Sequence, residues 1–177
     1  MTIFQIILLI LSALIIIFGL LFAGFYNYLF SQKKHLERLW SDLLIAIQYY
    51  CDNVPYTIEA YRLLKKEDKD TADNLIDLKV KCLSAKISSE NLEDCFIDLR
   101  TFLNKIFELR HQDQKAAHDL RFIEAYTEFK RLDKEIEQKS EEYTHFKDIY
   151  DQKISTGILG IIGKIGKFEN LPKFLVF

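Results

Sequence analysis

Apolar residues follow one another with no charged side chain from Ile3 to Phe25 (IFQIILLILSALIIIFGLLFAGF), whereas beyond Lys33 they recur at steps of three and four. As a helix rising about 1.5 Å per residue, the first run is long enough to cross a hydrocarbon core of about 30 Å. Seventeen of its residues are Ile, Leu or Phe, which at roughly 0.3–0.6 kcal/mol each favour insertion by roughly 5–10 kcal/mol. A membrane span is expected. Gln5 alone opposes insertion noticeably, and it lies at the edge. A cleaved signal peptide needs a basic start, a shorter apolar core and a small-residue cleavage site. The start MTIFQ carries no basic side chain and Phe22 to Phe25 has no A-x-A pattern, so an uncleaved signal-anchor is the reading. Lys33, Lys34 and Arg38 follow the run and no cation stands in the residues before it, which places the N-terminus outside and the remainder in the cytoplasm.

The next stripe is Leu36, Leu39, Trp40, Leu43, Leu44, Ile47, Tyr50, Cys51, Val54, Ile58 and Tyr61, and it carries the same helix out of the membrane without a break. Pro55 falls inside it, removing one amide donor and crowding the Cys51 carbonyl, so a kink is expected there. Lys65 to Asp70 (KKEDKD) has no apolar face and predicts a turn. A second helix should start with Asp70 or Thr71 as N-cap and carry Ala72, Leu75, Ile76, Val80 and Leu83. Ser88 and Ser89 punctuate, and a third runs from about Asn91 with Leu92, Cys95, Phe96, Leu99, Phe102, Leu103, Ile106 and Phe107 on one side. The pattern lapses in Arg110 to Lys115, before a long fourth helix holding Leu120, Ile123, Tyr126, Phe129, Leu132, Ile136, Tyr143, Phe146 and Tyr150. No stretch alternates as a strand would. The expected class is all-α, an N-terminal transmembrane helix continuing into an antiparallel bundle of about four long helices. Its parts are an anchor over residues 1–32, a cytoplasmic bundle over 33–155 and a glycine-rich apolar tail over 156–177.

In that tail Gly157, Gly160, Gly163 and Gly166 recur every third residue. This is not G-x-G-x-x-G, no strand precedes it, and it does not support a dinucleotide site. Each glycine costs a water-exposed helix about 1 kcal/mol relative to Ala, so a loosely ordered tail that packs on the bundle or frays is the first reading. The sharper alternative is an amphipathic segment with Lys164, Lys167 and Lys173 lying on the anionic cytoplasmic leaflet beside its own anchor.

About 145 residues remain after the anchor, enough for one domain with a core. A net charge of −2 provides no basic field, so nucleic acid is not expected as a partner. Cys51, Cys82 and Cys95 are odd in number, fit neither a disulfide framework nor a zinc site, and read as small core residues in a reducing compartment.

The segment from Tyr26 to Tyr61 carries Tyr26, Asn27 and Leu29, then Trp40, Ser41, Asp42 and Leu43, then Gln48, then Asp52, Val54 and Pro55. It resembles the signature of the LemA family, membrane-anchored bacterial proteins with a cytoplasmic helical bundle. Further on, Tyr143-Thr144 and Tyr150-Asp151 stand where that family has two Tyr-Asn pairs, preceded by Asp133 and Ile136 in place of Glu and Ile. The chain departs from the pattern at Tyr49 and Tyr50, which replace a basic pair, at Tyr56, which replaces an Asn, and at Ser140, which replaces an Arg. The resemblance implies a fold and a topology, with no enzymatic assignment. Its motif residues are Tyr26, Asn27, Trp40, Asp42, Asp52, Pro55, Tyr143, Tyr150 and Asp151.

Glu108-x-x-His111 and Glu142-x-x-His145 have the spacing of ligands in a di-iron or di-manganese carboxylate bundle, because residues three apart share a helix face. His111 stands among polar neighbours and His145 lies between the inward Tyr143 and Phe146, so neither metal, cofactor nor catalytic residues are assigned. Asp52, near Pro55, is expected to accept a hydrogen bond from a tyrosine of the fourth helix. The function expected is a non-enzymatic docking or scaffolding module at the cytoplasmic face of the bacterial plasma membrane. Its partners would be the bilayer, through the span, and a protein partner or a second copy. The alternatives are a membrane-bound di-metal enzyme and a membrane-remodelling or self-assembling protein.

Overall fold

The computed structural model describes residues 3–65, 68–88, 91–168 and 171–174, with the backbone alone at 86–88. Seven helices account for the regular structure among them: α1 (Ile3–Leu64), α2 (Lys69–Ser88), α3 (Leu92–Phe107), α4 (Leu109–Gln112), α5 (Gln114–His118), α6 (Leu120–Ser155) and α7 (Gly157–Ile165). The all-α expectation holds for the described residues, none of which forms a strand. By contacts the chain divides into two compact units, Met1–Arg38 with His145–Leu171 and Leu39–Thr144 with Pro172–Phe177.

In the second unit the stripes read from the sequence supply one core only in part: Ile76 and Val80 of α2 and Leu120 of α6, read as inward, are exposed, because each helix turns only part of its apolar surface to its neighbours. Leu43, Ile47, Tyr50 and Val54 of α1, Leu75 of α2, Phe96 and Leu99 of α3 and Phe129 and Leu132 of α6 are all buried. The Tyr50 ring meets the edges of Phe96 and Phe129 at centroid distances of 5.0 and 4.7 Å, the T-shaped arrangement that ring quadrupoles favour. Cys51 and Cys82 are buried and Cys95 is half-buried. A hydrogen bond with Cys51, reinforced by burial, pushes the Cys82 thiol up, which suits a packed apolar role.

Helix ends differ in detail from the expectation. Asp68, not Asp70 or Thr71, caps α2, its carboxylate accepting from the Thr71 amide at 3.1 Å and the Thr71 hydroxyl at 2.8 Å. A carboxylate three residues ahead of that amide satisfies one of the otherwise unpaired donors of the first turn. Part of the turn expected at Lys65 to Asp70, and Ser89, lie outside the described residues. The stretch at Arg110 to Lys115 is not a plain loop. It holds most of α4 and the start of α5, with Asp113 accepting from the Lys115 amide at 2.9 Å as the cap of α5. Asp119 does the same for the first turn of α6, accepting from the Phe122 amide at 2.9 Å.

In the first unit α1 exposes its side chains throughout residues 3–28, from Ile3 at 80% to Phe25 at 37%. This is one helix long and apolar enough to cross a membrane. The tail is not loosely ordered over residues 157–165, which form α7, while its expected packing holds at the buried Phe174. Gly157 adopts φ +62°, the left-handed region where glycine is free of a Cβ penalty, and so starts the helix directly after α6. A Cβ on Gly160 would stand 3.0 Å from the Ser155 carbonyl carbon, and one on Gly163 3.2 Å from the Ile154 oxygen. Glycine there lets α7 close onto the end of α6.

Candidate functional site

The second unit has an open apolar groove between the C-terminal part of α1 and α2. Pro55, Ile58 and Leu63 line it from α1, and Ile76, Val80 and Leu83 from α2, around a volume of about 620 Å³. Ile58 among them is buried, whereas helical spacing leaves Pro55, Leu63, Ile76 and Val80 exposed: both helices turn one stripe to the core and leave a second, at roughly 100° round the axis, facing outward. Val80 is 55% exposed and Leu63 48%. Arg62, Lys79 and Glu59 stand at the rim. Isolated exposed apolar residues are ordinary, but a contiguous apolar groove with a charged rim is the shape that receives an amphipathic helix.

Two polar clusters lie elsewhere in this unit. Asp133 is buried beside Arg100, with a nitrogen–oxygen distance of 3.2 Å, and within 3.9 Å of Lys130. Burial raises its carboxyl above the ordinary carboxylate range, against the pull of Arg100 and Lys130. The Tyr50 hydroxyl is pushed well up by burial first and then by Asp133. The second cluster is Tyr61, Asp68 and Thr71, with the Tyr61 hydroxyl donating to Asp68 at 2.5 Å. That bond, followed by those from Thr71, holds the Asp68 carboxyl below its ordinary value. Both clusters are accounted for by structure, one tying α3 to α6 and the other capping α2. Strongly shifted groups of this kind mark sites only when something reactive remains unexplained.

The residues singled out by the sequence do not come together. Tyr26 is partly exposed against Phe168 and Asn27 is exposed. Trp40 is buried, its ring 5.1 Å from Tyr143 and 6.2 Å from Phe174. Asp42 and Pro55 are exposed, and α1 passes through Pro55 as one helix. Asp52 is exposed and accepts from the Gln48 amide at 3.0 Å, so the expected bond from a tyrosine of the fourth helix is corrected. One residue past Cys51, it is turned about 100° away from the buried stripe. The tyrosine bond of this region belongs to Tyr56, which donates to Glu124 at 2.9 Å. Of the other departures from the LemA pattern, Tyr49 is exposed, Tyr50 is core and Ser140 is buried, donating to the Phe174 carbonyl at 3.1 Å. Glu108, His111, Glu142 and His145 are all exposed, and among the described residues no group of three or more His, Cys, Asp or Glu converges as a metal site requires.

In the first unit Tyr150 is buried, and burial pushes its hydroxyl up to about 12. Asp151 pairs with Lys147, whose side chain is buried. Lys147 escaped notice because lysine is normally solvated, yet it lies four residues after Tyr143 and three before Tyr150, on the inward stripe. Its stem is covered while its ammonium reaches the Asp151 carboxylate one turn on.

Comparison with family models, with curated proteins and with solved structures finds no match.

Proposed function

We propose that the chain is a single-pass protein of the bacterial plasma membrane, N-terminus outside, whose cytoplasmic helices form an antiparallel bundle, as the LemA resemblance implies, and that this bundle docks a protein partner at the inner face. The apolar groove between α1 and α2 carries this reading. Its occupant is an amphipathic helix of the partner, with an apolar stripe for Ile76 and Val80 and acidic residues for Arg62 and Lys79 at the rim. The exposed apolar half of α1 supports the anchor, and the cations Lys33, Lys34 and Arg38 support the orientation.

A photo-crosslinking residue at Val80, compared with one at the exposed Asp94 of α3, tests the assignment in native membranes. The expected result is a protein adduct at position 80 alone, mapping to a segment with helical apolar periodicity and acidic flanks, and lost in Ile76→Lys. Adducts of equal yield at both positions, or none at 80, would sink it.

A further inference from the structure

We propose that α7 is a second membrane-embedded element, a short helix lying in the cytoplasmic leaflet against the protein's own span, with its isoleucines among the acyl chains of anionic phospholipids. This rests on the reading of Ile3 to Phe25 as a span.

The first observation is the surface that α7 presents. Ile158, Ile161 and Ile165 are 64%, 61% and 64% exposed, as bare as the side chains of the apolar run itself. Gly160 and Gly163 take the opposite, close-packed face against the end of α6, which turns the isoleucines outward. A row of three bare isoleucines beside the exposed phenylalanines of α1 is a contiguous apolar patch of the kind that marks an interaction or membrane surface.

The second is depth. Phe18, Phe22 and Phe25 of α1 form one wall of an apolar cleft of about 440 Å³, and Ile158, Ile161 and Ile165 line the other. Those phenylalanines belong to the half of the run nearer Lys33, so the α7 residues that share the cleft stand at hydrocarbon depth. Tyr26 and Tyr28 mark the level where the chain enters and leaves. Lys153, just before α7, donates to the Tyr28 hydroxyl at 2.6 Å, and Phe168, just after it, meets the Tyr26 ring at 5.4 Å. Tyrosines of this kind sit at the headgroup boundary. α7 hangs on the hydrocarbon side of that boundary, and its helical hydrogen bonds satisfy the backbone within the segment, as lipid requires.

The third is charge, which decides the occupant. The first unit holds seven Lys and Arg against four Asp and Glu, although the whole chain has a net charge of −2. Lys164 is exposed on α7 and Lys167 follows it. Cationic residues beside an apolar face that continues the surface of a span match the acyl chains and phosphates of an anionic leaflet. The lipid, rather than a second copy of the chain, is the occupant.

Tryptophan depth probes test this in the full-length chain. Ile161→Trp, Ile158→Trp and Phe22→Trp are each reconstituted in phosphatidylglycerol–phosphatidylcholine vesicles with brominated acyl chains, the parent with its sole Trp40 supplying the background. Quenching of both α7 probes to about the level of Phe22→Trp, roughly twofold or more, is expected for side chains at hydrocarbon depth. Quenched Phe22→Trp with unquenched α7 probes would overturn the insertion of α7 and leave the span standing, whether the probes emit as water-exposed or as covered by another copy. Three unquenched probes would overturn both. Equal quenching in phosphatidylcholine alone would overturn the anionic preference.

Discussion

The hydroxyl of Tyr143 donates to the carbonyl oxygen of Pro172 at 2.5 Å. Ser140 and Thr144, on the same helix, both donate to the carbonyl of Phe174, at 3.1 and 3.0 Å. Residues 171–174 form no helix or strand to satisfy their carbonyls, so side chains of α6 do so at Pro172 and Phe174. This holds the buried Phe174 ring against Trp40 and Phe96.

Removing the hydroxyl in Tyr143→Phe should cost about 0.5–1.5 kcal/mol, the usual net worth of one hydrogen bond, while Phe174→Ala should cost about 3–5 kcal/mol through the cavity it leaves. Urea unfolding of the detergent-solubilised chain measures both. In the Phe174→Ala background the Tyr143→Phe effect should shrink, because neighbouring sites couple. Full additivity would show that the tail is not held by this bond.

Asp133 has a folded value raised by burial, so the fold favours its protonated form. Its contribution is greatest below the ordinary carboxylate range and is lost as the pH rises through the raised folded value. The stability of the parent relative to Asp133→Asn should therefore decline on going from acid toward neutral pH across that window. A difference that grew with pH would mean that Arg100 and Lys130, not burial, dominate.

Asp68 behaves oppositely. The hydroxyl of Tyr61 and then the groups of Thr71 hold its carboxyl below the ordinary value, so the cap is stable above that range and fails as the pH falls through the lowered folded value. In Tyr61→Phe the failure should move to higher pH, read as earlier loss of hydrogen-exchange protection at the start of α2. An unchanged midpoint would assign the shift to Thr71 alone.

Two glycine substitutions should separate close packing from mere composition. Gly160→Ala pushes a methyl to 3.0 Å from the Ser155 carbonyl carbon, whereas Gly19→Ala meets nothing within 4 Å. Trypsin cleavage after Lys164 should accelerate in Gly160→Ala and stay at the parent rate in Gly19→Ala. Equal rates in both would show that α7 does not depend on its approach to α6.

How far the fold was legible varies by element and by cause. The stripes of α1, α3 and α6 were legible because a helix that buries one face must repeat apolar residues at its own period. Asp68 as a cap was not, since Asp68, Asp70 and Thr71 all have the right chemistry and only the backbone path chooses among them. Asp52 was misplaced because proximity to Pro55 in the chain says nothing about which face of the helix it occupies. Lys147 was missed because lysine is normally solvated, even though its partner Asp151 stands one turn on, and Arg100 was missed because its partner Asp133 lies on another helix and no local pattern announces it.

Periodicity and the uncharged run from Ile3 to Phe25 determine by themselves an all-helical chain with one helix fit to cross a membrane, because these depend only on local geometry and on transfer of side chains from water. The tertiary structure decided what contact alone can decide. It turned a glycine-rich tail into α7, since the end of α6 leaves room for Gly160 and Gly163 but not for a Cβ. It also buried Phe174 under Trp40, a pairing of residues far apart in sequence, and left open the groove between α1 and α2.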